Sequence, residues 1–230
     1  MSSLDRATIV FDLDGTLVDT APDVLGTLNA LLTKEGLPPA NLAAARSLIG
    51  RGGRAMVARG FAAAGRPLSE PELAVRFEAF SVHYRAHLAD LSTPFPGVED
   101  CLATLTAAGA RLAVCTNKRG EFSDALLAAV GIGRYFAAVV GPDRAPAPKP
   151  DPRHLLAAIE VAGGKPERAV MVGDSETDAK AAHAAGIPLV LVDFGYTDIP
   201  VSELGADRVI SDFAALPQAC ADLLGRRFPR

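Results

Sequence analysis

Two aspartates, Asp12 and Asp14, stand where an apolar run, Ile9, Val10 and Phe11, meets Gly15. In an extended chain, side chains two apart share one side, so the two carboxylates lean together while Leu13 faces the other way. Neighbouring carboxylates repel and are expensive to desolvate, so a cation or a shared proton must compensate them. Such a pair suits one carboxylate as nucleophile and the other as acid/base, with a hard divalent metal between them. Read alone, the segment also fits a solvated Asp-Gly turn.

Four more segments carry chemistry-bearing side chains. The apolar stretch RLAVC runs into Thr116, Asn117 and Lys118, a hydroxyl, an amide and a cation suited to phosphate oxygens. The same residues would also serve as a plain helix cap. Lys149 lies inside PAPKPDP, where flanking prolines stiffen the backbone and hold a long cation in one place. VMVGDSETD brings Asp174, Ser175 and Asp178 to a helix start. Asp174 there can complete a site of oxygen ligands, which Mg²⁺ prefers, or act as an N-cap. Finally, the glycine-rich loop from Gly50 to Arg54 carries Arg51 and Arg54. Their planar guanidinium forks match a carboxylate, unless they merely lie on a solvated helix start.

These residues need a scaffold that gathers strand ends. A strand is expected from Thr8 to Leu13, then a helix from Pro22 to Glu35. Helices follow at Asn41 to Ile49, Gly53 to Ala64 and Glu70 to Leu91, the last opened by a capping box of Ser69 and Glu72. No strand pattern appears between residues 20 and 91. From Val98 onward helices alternate with short apolar strands at Arg111 to Cys115, Ala137 to Val140, Ala169 to Val172, Leu189 to Val192 and Asp207 to Ile210. Strands of that kind form a parallel sheet covered on both faces. The expected fold is an α/β, doubly wound, Rossmann-like core over residues 1–19 and 92–230, with a four-helix cap inserted at 20–91. In open parallel sheets ligands bind beyond the carboxyl ends of the strands, where Asp12, Thr116 and Asp174 fall.

Composition narrows the function classes. The 230 residues are 49% apolar with a net charge of −4, and basic and acidic residues are interspersed. No basic stripe and no Trp speak for nucleic acid as a partner. Cys101, Cys115 and Cys220 form no CxxC pair and fit reduced thiols of a cytoplasmic protein. The first residues lack a signal-peptide pattern, and no uncharged run approaches the ~18 residues of a membrane span. His83 and His87 are spaced i, i+4 without a third ligand, which favours packing over metal binding.

The set DLDGTLVDT, Thr116, the lone Lys149 and GDSETD, in that order, resembles the haloacid dehalogenase superfamily phosphatases over essentially the whole chain. Within it, TNK, PFPGV, FGYT and IGRGGRAMV are most similar to bacterial phosphoglycolate phosphatases. The resemblance implies that Asp12 attacks phosphorus to form an aspartyl-phosphate and that Asp14 shuttles the proton. It implies Mg²⁺ held by Asp12, the Asp14 carbonyl and Asp174, with Thr116, Asn117 and Lys149 on the phosphate. Asp178 would orient Lys149 or a metal-bound water. The expected partner is a small phosphorylated metabolite, foremost 2-phosphoglycolate with its carboxylate on Arg51 or Arg54, and the expected assembly a monomer or homodimer. Alternatives are a phosphatase for pyrophosphate or a sugar phosphate, and a phosphomutase.

Overall fold

Short apolar strands that are buried on both faces set the architecture. The computed structural model describes residues 3–41, 49 and 52–227. The first strand, β1 (Thr8–Phe11), is fully buried. Two-residue β2 (Val18–Asp19) follows, then helices α1 (Ala21–Lys34), α2 (Gly53–Ala63) and α3 (Glu70–His87), and then β3 (Thr93–Pro94). After them come α4 (Val98–Ala107), β4 (Arg111–Cys115), α5 (Gly120–Ala129), β5 (Phe136–Val140), α6 (Pro152–Val161) and β6 (Ala169–Gly173). The chain ends with α7 (Glu176–Ala185), β7 (Leu189–Val192), β8 (Arg208–Ile210) and α8 (Leu216–Arg227).

Six strands make one parallel sheet in the order β5-β4-β1-β6-β7-β8. Alternation along each strand feeds two apolar layers. Ile9, Phe11, Val114 and Val172 face the layer built with α4 and α8, while Val10, Cys115 and Met171 face the layer built with α6 and α7. This is a doubly wound α/β fold of Rossmann strand order, whose direction of winding reverses between β1 and β6. Phe11 is in register with Val114 and Val172, so the residues that follow it emerge beside those that follow β4 and β6.

Two details differ from the sequence pattern. The first strand stops at Phe11, not Leu13, and the chain then turns through Gly15 at a φ of +82°. The ribbon of β2 and β3 pairs Val18 with Pro94 and Asp19 with Thr93, just outside the helical segment. Two residues per strand are too few for any periodicity to announce them. Within that segment α1 and α2 cross closely at Gly60, where a Cβ would stand 2.7 Å from Leu28. The helix expected at Asn41 to Ile49 lies, apart from its two ends, outside the described residues.

Candidate active site

Asp12 leaves the end of β1 almost fully buried, and its Oδ1 accepts from the Leu13 N–H at 2.7 Å. The same oxygen is 2.9 Å from the Lys149 ammonium, which also meets Asp178 Oδ1 at 2.6 Å. Burial, with Asp178 and Asp14 nearby, pushes the Asp12 carboxyl up to about 7 against the pull of Lys149. Lys149 is itself buried, but the Asp12 and Asp178 charges outweigh burial and keep its ammonium protonated. Asp178 is the N3 residue of α7, and its Oδ2 accepts from Ser175 Oγ at 2.6 Å and from the N–H groups of Asp174 and Ser175. Gly173 makes this approach possible, because a Cβ there would lie 2.5 Å from that carboxylate.

Asp174, at the end of β6, receives Thr16 Oγ1 on one oxygen at 2.8 Å and the Tyr196 N–H on the other at 2.7 Å. Burial first, then Asp178 and Asp12, hold its carboxyl well above the usual carboxylate range. The Tyr196 hydroxyl reaches Asp19 and accepts from the Ala21 N–H, tying this corner to the start of α1. Oxygens of Asp12, Asp174 and Asp178 lie within 4.8 Å of one another. Asp178 is occupied by Lys149 and by N–H and O–H donors, whereas Asp12 and Asp174 keep lone pairs to spare. Buried, all-oxygen and short of positive charge, this set fits a hard metal cation.

Asp14 looks elsewhere. Its Oδ1 accepts from Thr20 Oγ1 at 2.7 Å and pairs with the Lys118 ammonium at 2.8 Å. Lys118 is nearly buried and lies 4.8 Å from the centroid of the Tyr84 ring on α3. Burial opposes its charge, but Asp14 prevails and keeps it above its ordinary value. The two neighbouring aspartates thus each have a lysine of their own. Sequence reasoning placed Lys118 among phosphate ligands; here its partner is Asp14.

Thr116 is buried just past β4, where its Oγ1 accepts from the Lys118 N–H at 3.1 Å. Asn117 donates through Nδ2 to the Lys149 carbonyl at 3.0 Å, and its Oδ1 is buried with no partner among the described residues. His154 braces the same loop from below and is wholly buried. Burial, then the Lys149 charge, lowers its pKa to about 4.

Asp12, Asp14, Thr116, Asn117 and Lys149 share the wall of a cavity of about 440 Å³ that Phe80 and Tyr84 of α3 also line. Arg54 also reaches this wall, but it is 43% exposed and its guanidinium is ion-paired to Glu70. Arg51 lies outside the described residues. Tyr84 and Thr20 escaped the sequence reading because one reads as a helix-face aromatic and the other as a cap.

Comparison with known proteins shows the family. Residues 7–186 match the family model of haloacid dehalogenase-like hydrolases. The phosphoglycolate phosphatase of Caulobacter vibrioides is 53% identical over 97% of this chain and 94% of its own length. That of Mesorhizobium japonicum is 48% identical over 97% and 98%. The crystal structure of a predicted phosphoglycolate phosphatase from Haemophilus somnus superposes with a TM-score of 0.86 at 32% identity, covering 94% of this chain and 98% of that one. With aspartates at the reversal point of its sheet, the chain belongs to the haloacid dehalogenase-like hydrolase family and is a phosphatase.

Proposed function

We propose that the chain hydrolyses a phosphate monoester of a small metabolite through an aspartyl-phosphate on Asp12, with 2-phosphoglycolate as the substrate. The observation that carries the reading is the separation of roles between the two aspartates. Asp12 is paired with Lys149 at the strand ends, and Asp14 is held apart by Thr20 and Lys118. An Asp12 oxygen attacks phosphorus, the P–O bond to the leaving group breaks, and Asp14 gives that oxygen a proton. Water then attacks the phosphorus, Asp14 takes its proton, and the bond to Asp12 breaks to release phosphate and the free nucleophile. Thr116, the Asn117 backbone and Lys149 hold the equatorial oxygens, whose charge is spread in the transition state. Asp178 positions Lys149.

Asp12, the Asp14 carbonyl and Asp174 would hold Mg²⁺, which when bound supplies positive charge between the nucleophile and the phosphate. Residues 20–91 act as a cap that covers the site and keeps bulk water out. The close relatives named for phosphoglycolate support that substrate. No helix among the described residues is long and apolar enough to cross a membrane. The three buried free cysteines support a reducing, cytoplasmic setting. A panel of phosphate compounds assayed with Mg²⁺ and with chelator tests the reading. The highest kcat/KM is expected for 2-phosphoglycolate. Preference for pyrophosphate or a hexose phosphate, or conversion of a hexose phosphate without release of phosphate, would overturn it.

A further inference from the structure

We propose that Lys118 and Tyr84 form the seat for the substrate's second anionic group, a carboxylate close to the ester oxygen, and so select phosphate esters of short α-hydroxy acids. This rests on the phosphatase reading above and names what recognises the rest of the molecule. Four cationic side chains of described residues line the cavity: Arg54, Lys118, Arg119 and Lys149. Arg54 and Arg119 are about half exposed and paired with Glu70 and Glu121. Lys149 already meets two carboxylates and keeps its third donor for the phosphate. Lys118 alone combines a nearly buried ammonium with a single carboxylate partner.

An ammonium has three donors. Asp14 takes one and the Tyr84 ring and hydroxyl lie against the group, which still leaves a donor for a ligand. Beside it, the Tyr84 hydroxyl is buried against the Lys118 ammonium, which can only donate to it, so its own proton has no acceptor among the described residues. A buried O–H donor without an acceptor is a standing penalty that a ligand can relieve. Together an N–H and an O–H donor match the two oxygens of one carboxylate.

Spacing gives the selection. Lys118 binds Oδ1 of Asp14, so Oδ2 is left to exchange the proton with the leaving oxygen. The carboxylate carbon of 2-phosphoglycolate lies two bonds from that oxygen, within reach of a cation that touches the same Asp14 carboxyl. In 3-phosphoglycerate it lies one carbon further away, and in ethyl phosphate it is missing. Because Tyr84 comes from α3 and Lys118 from the loop after β4, the carboxylate would also bridge the helical segment to the sheet.

The test compares kcat/KM of wild type, Lys118→Met, Lys118→Arg and Tyr84→Phe for 2-phosphoglycolate, 3-phosphoglycerate and ethyl phosphate, with thermal melts of each protein. Lys118→Met should lose at least about tenfold more toward 2-phosphoglycolate than toward ethyl phosphate, and Lys118→Arg should recover part of that difference. Tyr84→Phe should show a smaller loss of the same kind, about threefold to tenfold, while melting no lower than wild type. Equal losses on all three esters in both Lys118→Met and Tyr84→Phe overturn the seat and leave the phosphatase reading standing. A wild type that does not prefer 2-phosphoglycolate to ethyl phosphate overturns the substrate reading and the seat with it. Should Lys118→Met fail to fold, the Tyr84→Phe ratio decides by itself.

Discussion

The backbone N–H of Lys149 donates to Nδ1 of His154 at 3.0 Å, inside the protein. The far nitrogen, Nε2, is 3.0 Å from the Val140 carbonyl and carries the proton that bonds it, so the neutral ring links the end of β5 to the lysine that meets Asp12. Because the folded pKa of about 4 lies below the ordinary 6.5, this histidine contributes stability that is complete above pH 6.5 and is lost as the pH falls toward 4. Between pH 7 and pH 4.5 it should therefore account for about 2–3 kcal/mol of lost unfolding free energy. His154→Gln should lack that part of the acid sensitivity, as measured by urea unfolding at the two pH values. An unchanged difference between them would refute the assignment.

Asp12→Asn should lower kcat at least about a thousandfold, since an amide oxygen is a poor nucleophile. The fold should survive, because Asn can still accept from Lys149. The carboxyl of Asp12, raised to about 7 from 3.8, adds stability at low pH that disappears as the pH rises through 7. In chelator, the variant should therefore melt above wild type at pH 8, and by clearly less at pH 5. Calorimetry at both values checks this.

Adding Mg²⁺ to chelator-treated protein should raise Tm, and more at pH 8 than at pH 5, since its carboxylate ligands must be ionised. Asp174→Asn should abolish most of the rise without touching Lys149, whose partners are Asp12 and Asp178. An equal rise in that variant would place the cation elsewhere.

Asp23, buried in the first turn of α1, accepts the N–H groups of Leu91 and Ser92 and the Ser92 hydroxyl. Asp23→Ala would strand those donors and should destabilise the protein by about 2–4 kcal/mol. Limited proteolysis should then cut first around residues 88–92. A variant as stable and as resistant as wild type would show that the clamp carries no load.

Much of this was written in the sequence where an element announces its own ends. α6 and α7 run as expected, the first opened by the Asp151 side chain on the Arg153 N–H and the second closed by Gly186 at positive φ. Asp12, Asp174 and Thr116 stand out because each ends an apolar strand, so parallel pairing alone brings them together. What stayed hidden depends on contacts between distant segments. Lys118 is just a third polar residue after a strand until the fold puts Asp14 beside it. Tyr84 reads as helix-face packing, and nothing local reveals that its hydroxyl proton ends up without an acceptor. Arg54 carries the right chemistry for a carboxylate, yet Glu70, sixteen residues on, claims it first.

The two-residue ribbon of Val18–Asp19 with Thr93–Pro94 has a meaning for how such a chain can vary. The point where the backbone leaves the sheet layer and the point where it returns are hydrogen-bonded neighbours, about one strand spacing apart. To the remainder of the molecule, everything between them is a detour that starts and finishes at the same spot. Its length and content can therefore change with little entropic effect on closure, since that term grows only slowly with loop size. A doorway of this kind lets the detour be exchanged while the threshold is left alone.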